Sequence, residues 1–249
     1  MKTNQNFAER RKELLKKTKE QIASAVSPDI LIIQTLNTID DLNIQLNGLS
    51  KRLREWHAYT LPELDHEISD NEAYARLIAS KTFDELKKEF VKDGEVSMGS
   101  ELNEIDYIAV QSLARQISEL FQFKQSILIY LESRLKQLAP NITELVGTTI
   151  AARLISSAGS LRKLAMLPAS TIQLLGAEKA LFRHLKTGAK SPKHGFIINH
   201  PLIQKAKKSD RGKIARVLGD KLTLCAKVDY FKGEFIGDKI LKKLEGRFL

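Results

Sequence analysis

The 249-residue chain has one cysteine, one tryptophan and six prolines, and aromatic residues make up only 6% of it. Each scarcity removes a class of protein. Cys225 alone cannot form an internal disulfide, and its setting in "KLTLCAKVDYF", among helix-compatible apolar residues, reads as a buried structural thiol rather than a nucleophile. No apolar run reaches the roughly 18 residues that would mark a membrane span. The opening "MKTNQNFAERRKELLKKTKE" lacks the apolar centre and small-residue cleavage site of a secretory signal, so the reading is an intracellular, cytoplasmic chain with no membrane partner. Catalytic signatures are missing too: no GxGxxG, no GxxxxGK[ST], no HExxH and no paired-cysteine spacing. His57, His66, His184, His194 and His200 do not fall at the i, i+4 interval that puts two ligands on one helix face. No enzyme, metal or cofactor is expected. Period-two alternation is confined to "GFIIN", which leaves an all-α chain.

What is present is charge, unevenly placed. Residues 1–140 hold 19 Lys+Arg against 22 Asp+Glu, a net of −3, whereas residues 141–249 hold 21 against 8, a net of +13. The whole-chain excess of +10 therefore conceals a nearly neutral front and a strongly basic back. Such an asymmetry is expected when one domain meets a polyanion, with acidic lipid or acidic protein as the competing partners. The charge is densest in "GAEKALFRHLKTGAKSPKHG", residues 176–195, where Arg183, Lys186, Lys190 and Lys193 accompany two histidines on the apolar spacing of a short helix.

From Ser27-Pro28-Asp29, a helix start with proline in the first turn, apolar residues recur in steps of three and four at Ile32, Leu36, Ile39, Leu42, Leu46, Leu49, Leu53 and Trp56. A second such stretch runs from about Glu101 to Leu138, through Leu102, Ile105, Ala109, Leu113, Ile117, Leu120, Ile127, Leu131 and Leu135. At 1.5 Å per residue the two are roughly 45 and 55 Å long, which predicts an antiparallel coiled-coil pair, or two surface helices of one bundle. Between them lies a segment broken by Pro62, Gly94 and Gly99 that reads as a tip of short helices. Its Tyr74, Leu77, Ile78, Phe83, Leu86 and Phe90 exceed what a thin two-helix stalk is expected to bury, which points to a homodimer formed through the tips. Ala139-Pro140 ends the second long helix. Shorter helices follow, with Gly159 as a cap. The chain thus divides into a basic helical leader (1–27), a coiled-coil dimerisation domain (28–139) and a compact helical domain (140–249).

The stretches "APNITELVG", "ARLISSAGSL", "LPASTIQLLGAEKALFRHLKTGAKSPKHG" and "RGKIARVLGDKLTLCAKVDYF" resemble a Nop domain, the RNA-and-protein binding module of box C/D ribonucleoprotein core proteins and of a spliceosomal relative. "LREWHAYTLPELD" and "VSMGSELNEID" are similar to the same family's coiled coil, and the likeness runs from about Pro28 to Phe248, closer to archaeal than to nucleolar members. The resemblance implies a scaffold that clamps a kink-turn (box C/D) RNA already held by a small ribosomal-protein-like partner, in the machinery of guided ribose methylation. It assigns the family motif to Gly176, Ala177, Glu178 and Lys179, then Ala180, Leu181, Phe182 and Arg183. Lys179 and Arg183 fall one turn apart on one face, beside backbone N–H groups suited to a phosphate, and Lys186, Lys190 and Lys193 extend the stripe. Lys213 and Arg216 join it as phosphate contacts. Phe182 reads either as a core anchor or as a wedge against a stem end. A base-stacking slot falls to Asn199 or His200, with His200 preferred. Where the archaeal pattern carries bulky aromatics before "RGKIAR", this chain has "KAKKSD" and hence more charge.

Family members that build the methylation machine carry a methyltransferase-holding domain before the coiled coil. The 27 residues here are too few for one, so a methyltransferase is expected as partner only if that domain is supplied elsewhere. Competing readings are a splicing-factor-like scaffold not coupled to methylation and a coiled-coil interaction protein that binds acidic protein.

Overall fold

Five of the six prolines stand at helix starts, where a fixed φ helps and a missing N–H costs nothing. Pro28, Pro62, Pro140 and Pro201 open helices, and Pro168 caps one. The structure, a computed structural model, describes residues 2–91, 96–100 and 102–248. Gly94 and Glu101, named above as a break and a helix start, lie outside the described residues. Among those described there is no strand, and "GFIIN" forms a 3-10 turn over Phe196–Asn199.

The helices are α1 (Lys2–Ser24), α2 (Pro28–His57), α3 (Pro62–Glu67), α4 (Asn71–Ser80), α5 (Phe83–Phe90) and α6 (Glu104–Leu138). Then come α7 (Pro140–Val146), α8 (Thr148–Ala158), α9 (Leu161–Met166), α10 (Ala169–Leu174), α11 (Glu178–Thr187), α12 (Pro201–Gln204), α13 (Arg211–Tyr230) and α14 (Gly237–Phe248). The chain divides into two compact units, residues 37–130 and residues 1–36 with 131–249.

In the first unit α2 and α6 run antiparallel and share one core with the tip. Leu46 and Leu53 of α2 meet Val110, Ala114 and Ile117 of α6 in a cluster with Leu61, Leu64, Tyr74, Ala75, Ile78 and Leu86. The tip thus covers its own apolar residues. Tyr74, Ile78 and Leu86 are buried within the single chain, with Leu77, Phe83 and Phe90 packed against them, which removes the ground on which they pointed to a dimer. The stripe of α6 also begins differently from its expected register: Val110, Ala114 and Ile117 face the core, while Ile105 is 79% exposed. On α2, Trp56 likewise stands outside the buried stripe. Beneath the tip, Arg54 donates to Asp65 Oδ1 (2.6 Å), Asn71 Oδ1 (2.8 Å) and the carbonyls of Ile68 and Ser69, and lies over the Tyr74 ring. The Tyr74 hydroxyl meets His57 Nδ1 at 3.2 Å. Burial drives the His57 imidazole down to about 4, the Asp65 carboxylate opposing it only in part, so it is neutral near pH 7.

In the second unit α13 is central, burying Ile214, Ala215, Leu218, Leu222, Cys225, Ala226 and Asp229 against α7, α9, α10, α12 and α14. Burial pushes the Cys225 thiol up to about 12, which makes it an inert packing group. Asp229 caps α7 from across the core: its carboxylate accepts the N–H of Asn141 (3.0 Å), the N–H of Ile142 (3.0 Å) and Asn141 Nδ2 (2.7 Å). Asn141 Oδ1 in turn accepts the N–H of Ile236 (2.7 Å) and Gly237 (2.8 Å), so one carboxamide ties α7, α13 and the start of α14 together. Desolvation nevertheless holds the Asp229 carboxyl above the usual range, the hydrogen bonds opposing it. The root of α2 belongs to this unit, where Asp29 Oδ1 accepts the N–H of Leu161 at 3.1 Å.

Candidate nucleic-acid interface

Residues 176–195 leave the second unit's core and return to it at one place. Gly195 N–H donates to the Gln173 carbonyl (2.9 Å), Phe196 N–H to that of Leu175 (2.7 Å), and Gln173 Nε2 to that of Lys193 (2.6 Å). Glycine is required at both ends. A Cβ on Gly195 would lie 1.8 Å from the Leu175 carbonyl oxygen. Gly176 has φ +88°, and a Cβ there would lie 2.7 Å from the Phe196 ring. The segment is therefore a closed arm with a pinned base.

Along the arm, α11 ends at Gly188, whose left-handed φ of 67° stops it, and it buries no residue. Phe182 and Leu185 are 66% and 70% exposed, and the turn of the helix sets Lys179, Arg183 and Lys186 beside them. His184 Nδ1 pairs with the carbonyl of Ala189, folding the following loop back on the helix. That loop carries exposed Lys190 and Lys193 to the start of α13. There Ser191, Pro192 and Lys193 line, with Gln173, Ser209, Gly212, Lys213 and Arg216, an open cleft of about 390 Å³. An exposed ion pair of Lys213 with Asp210 at 3.7 Å is too solvated to hold that lysine from another anion. The structure thus brings Lys193, Lys213 and Arg216 into one cleft, although the last two lie far along the sequence.

Two of the residues singled out from the sequence make hydrogen bonds within the chain. His200 is only 4% exposed: Nε2 pairs with the Leu145 carbonyl (3.0 Å) and Nδ1 accepts the N–H of Leu202 (3.2 Å). It is the N-cap of α12, and with both nitrogens committed and both ring faces covered it offers no base a surface; Asn199 beside it is exposed. The Glu178 carboxylate accepts the N–H of Gly176 (2.7 Å) and lies 3.5 Å from Ser157 Oγ, closing the turn into α11 while the residue stays exposed. For Phe182 the core-anchor reading fails on its exposure. Gln173, Ser191 and Ser209 also line the cleft, and polar residues of this kind carry no pattern of their own in the sequence.

The Nop family model, described as a snoRNA binding domain, fibrillarin, matches residues 38–248. A NOP5 family protein of Methanocaldococcus jannaschii is 46% identical over 92% of this chain and 59% of its own length. Nucleolar protein 58 of Candida glabrata is 41% identical over 90% of the chain and 47% of its own. The chain thus spans about half the length of these curated relatives. Among solved structures, a chain of the fibrillarin/Nop5p complex superposes with a TM-score of 0.57 at 25% identity, covering 97% of this chain and 77% of that one. No single helix among the described residues is long and apolar enough to cross a membrane. With a family match over most of its length, and relatives of this identity, the chain belongs to the Nop family.

Proposed function

We propose that the chain is a non-enzymatic RNA-binding scaffold of a box C/D-type ribonucleoprotein, which clamps a kink-turn RNA already bound by a small ribosomal-protein-like partner. The observation that carries this is α11, a pinned helix that buries none of its residues and sets Phe182 and Leu185 beside Lys179, Arg183 and Lys186. Neither half suits bare solvent or bare RNA. Apolar side chains gain by covering a protein surface or a stem end, and cations gain by neutralising phosphates, so the two together fit a composite of protein and RNA. The cleft of Lys193, Lys213 and Arg216 extends the cationic side, and Gly176, Ala177, Lys190 and Asn199 complete the proposed contact surface. Affinity for a kink-turn RNA, measured with and without the small partner, tests the reading. Binding at least tenfold tighter with the partner is expected. Equal affinity would remove the composite.

The same reading divides the chain into a leader (1–27), a dimerising coiled coil (28–139) and the RNA-binding domain (140–249). Exposed Ile44, Ile105, Ile108 and Phe123 on the long helices, rather than the tip core, supply apolar surface for a second copy.

A further inference from the structure

We propose that the turn ending α13 is a second RNA contact, in which Phe231 and Phe235 stack on unpaired bases flanking the RNA bound at the arm. The inference rests on the RNA reading above and adds a site to it.

The helix end has the hydrogen bonds of a Schellman motif: Gly233 N–H to the Val228 carbonyl (2.8 Å) and Lys232 N–H to that of Asp229 (3.3 Å). In that motif the left-handed position normally holds glycine. Here it holds Lys232, at φ 55°, the one non-glycine residue with positive φ among those described, and the glycine comes one position later. A strained backbone held by its surroundings is a pointer to use of the side chains it presents. Those side chains are exposed: Phe231 is 68% and Phe235 50% accessible, Phe231 resting edge-on against Tyr230 at 5.0 Å, and Lys232 stands beside them. A fixed ring with a free face next to a cation is what a single-stranded base needs.

Continuity with the arm supports RNA as the occupant. Lys213, Arg216, Lys227 and Phe231 lie on one exposed side of α13, interrupted by Asp220 and Leu224, so the side runs from the basic cleft to the aromatic turn. From Arg216 to Phe231 the path is about 22 Å. Charge around the turn itself is nearly balanced, Lys227, Lys232 and Lys239 against Glu234 and Asp238, so rings rather than cations dominate there. The two regions should accordingly separate in a salt series.

The test uses the full chain with the small kink-turn-binding partner and two hairpin RNAs. Both contain the same kink-turn, one is blunt, and the other carries an unpaired flank of several nucleotides with 2-aminopurine in it. The chain should bind the flanked RNA about tenfold more tightly than the blunt one, with 2-aminopurine fluorescence quenched on binding. Phe231→Ala with Phe235→Ala should erase the difference and the quenching while leaving blunt-RNA affinity and its salt slope unchanged. Lys213→Ala with Arg216→Ala should weaken both RNAs and flatten both slopes. Unchanged preference and quenching in the phenylalanine variant would overturn the proposal while leaving the arm intact. So would a variant that changes only self-association or partner-protein binding, which would make the turn a protein contact. Failure of the unmodified chain to bind either RNA would remove the arm reading together with it.

Discussion

Lys179 and Arg183 stand on the arm in solvent, so their removal should be felt by RNA and not by the fold. Each alanine substitution is expected to lower the salt slope of RNA binding by about 1, while unfolding shifts by less than about 0.5 kcal/mol. Phe182→Ala should also spare stability but weaken binding at an unchanged slope, because a ring carries no counterions. Asn141 shows the opposite behaviour. Asn141→Ala would leave the half-buried N–H of Ile236 and the buried N–H of Gly237 without their acceptor and take one donor from Asp229, which is expected to cost about 2–4 kcal/mol in urea unfolding. The exposed cations were legible in the sequence because a charge run is visible as written. The burial of His200 as a cap was not read there, although "NHPL" held a usable signal: a side-chain acceptor immediately before a proline at a helix's first position is an N-cap pattern.

Among the elements, α2 and α6 were legible because three- and four-residue spacing persists over many turns, whereas the tip core was not. The apolar residues of α3, α4 and α5 meet the stalk only in three dimensions, so their number was mistaken for surface left over. The arm was legible as a motif but not as a pinned loop, since the approach of Gly195 to Leu175 joins residues twenty apart. Gly195→Ala should therefore strain the arm's base by about 1–3 kcal/mol and weaken RNA binding with the surface charges intact. Circular dichroism melting and a binding isotherm on the same variant read both effects. In the tip, the folded pKa of His57 lies below its unfolded value, so the unfolded chain binds the extra proton. Its contribution is complete above pH 6.5 and is lost as pH falls through 6.5 towards 4, roughly 3 kcal/mol across that window. Unfolding of the isolated His57→Gln chain, compared with the parent between pH 7 and 4, should show a flatter pH dependence.

For the whole molecule, the net of +13 falls on residues 141–249, which contain the arm, the cleft and the aromatic turn. If the exposed apolar residues of the long helices carry the proposed self-association, sedimentation at micromolar concentration should give twice 28.1 kDa, with Ile105→Glu and Ile108→Glu returning it to 28.1 kDa. The claim on which the rest depends is that RNA is held by phosphates along the basic face. Its most direct test is the affinity of the chain for a kink-turn RNA, in the presence of the small partner, across a salt series. With about four phosphates neutralised, log K should fall against log salt with a slope of −3 to −4, and a chain with Lys179, Arg183, Lys213 and Arg216 all changed to alanine should lose most of that slope. A slope near zero, or one that the four substitutions leave unchanged, would contradict it.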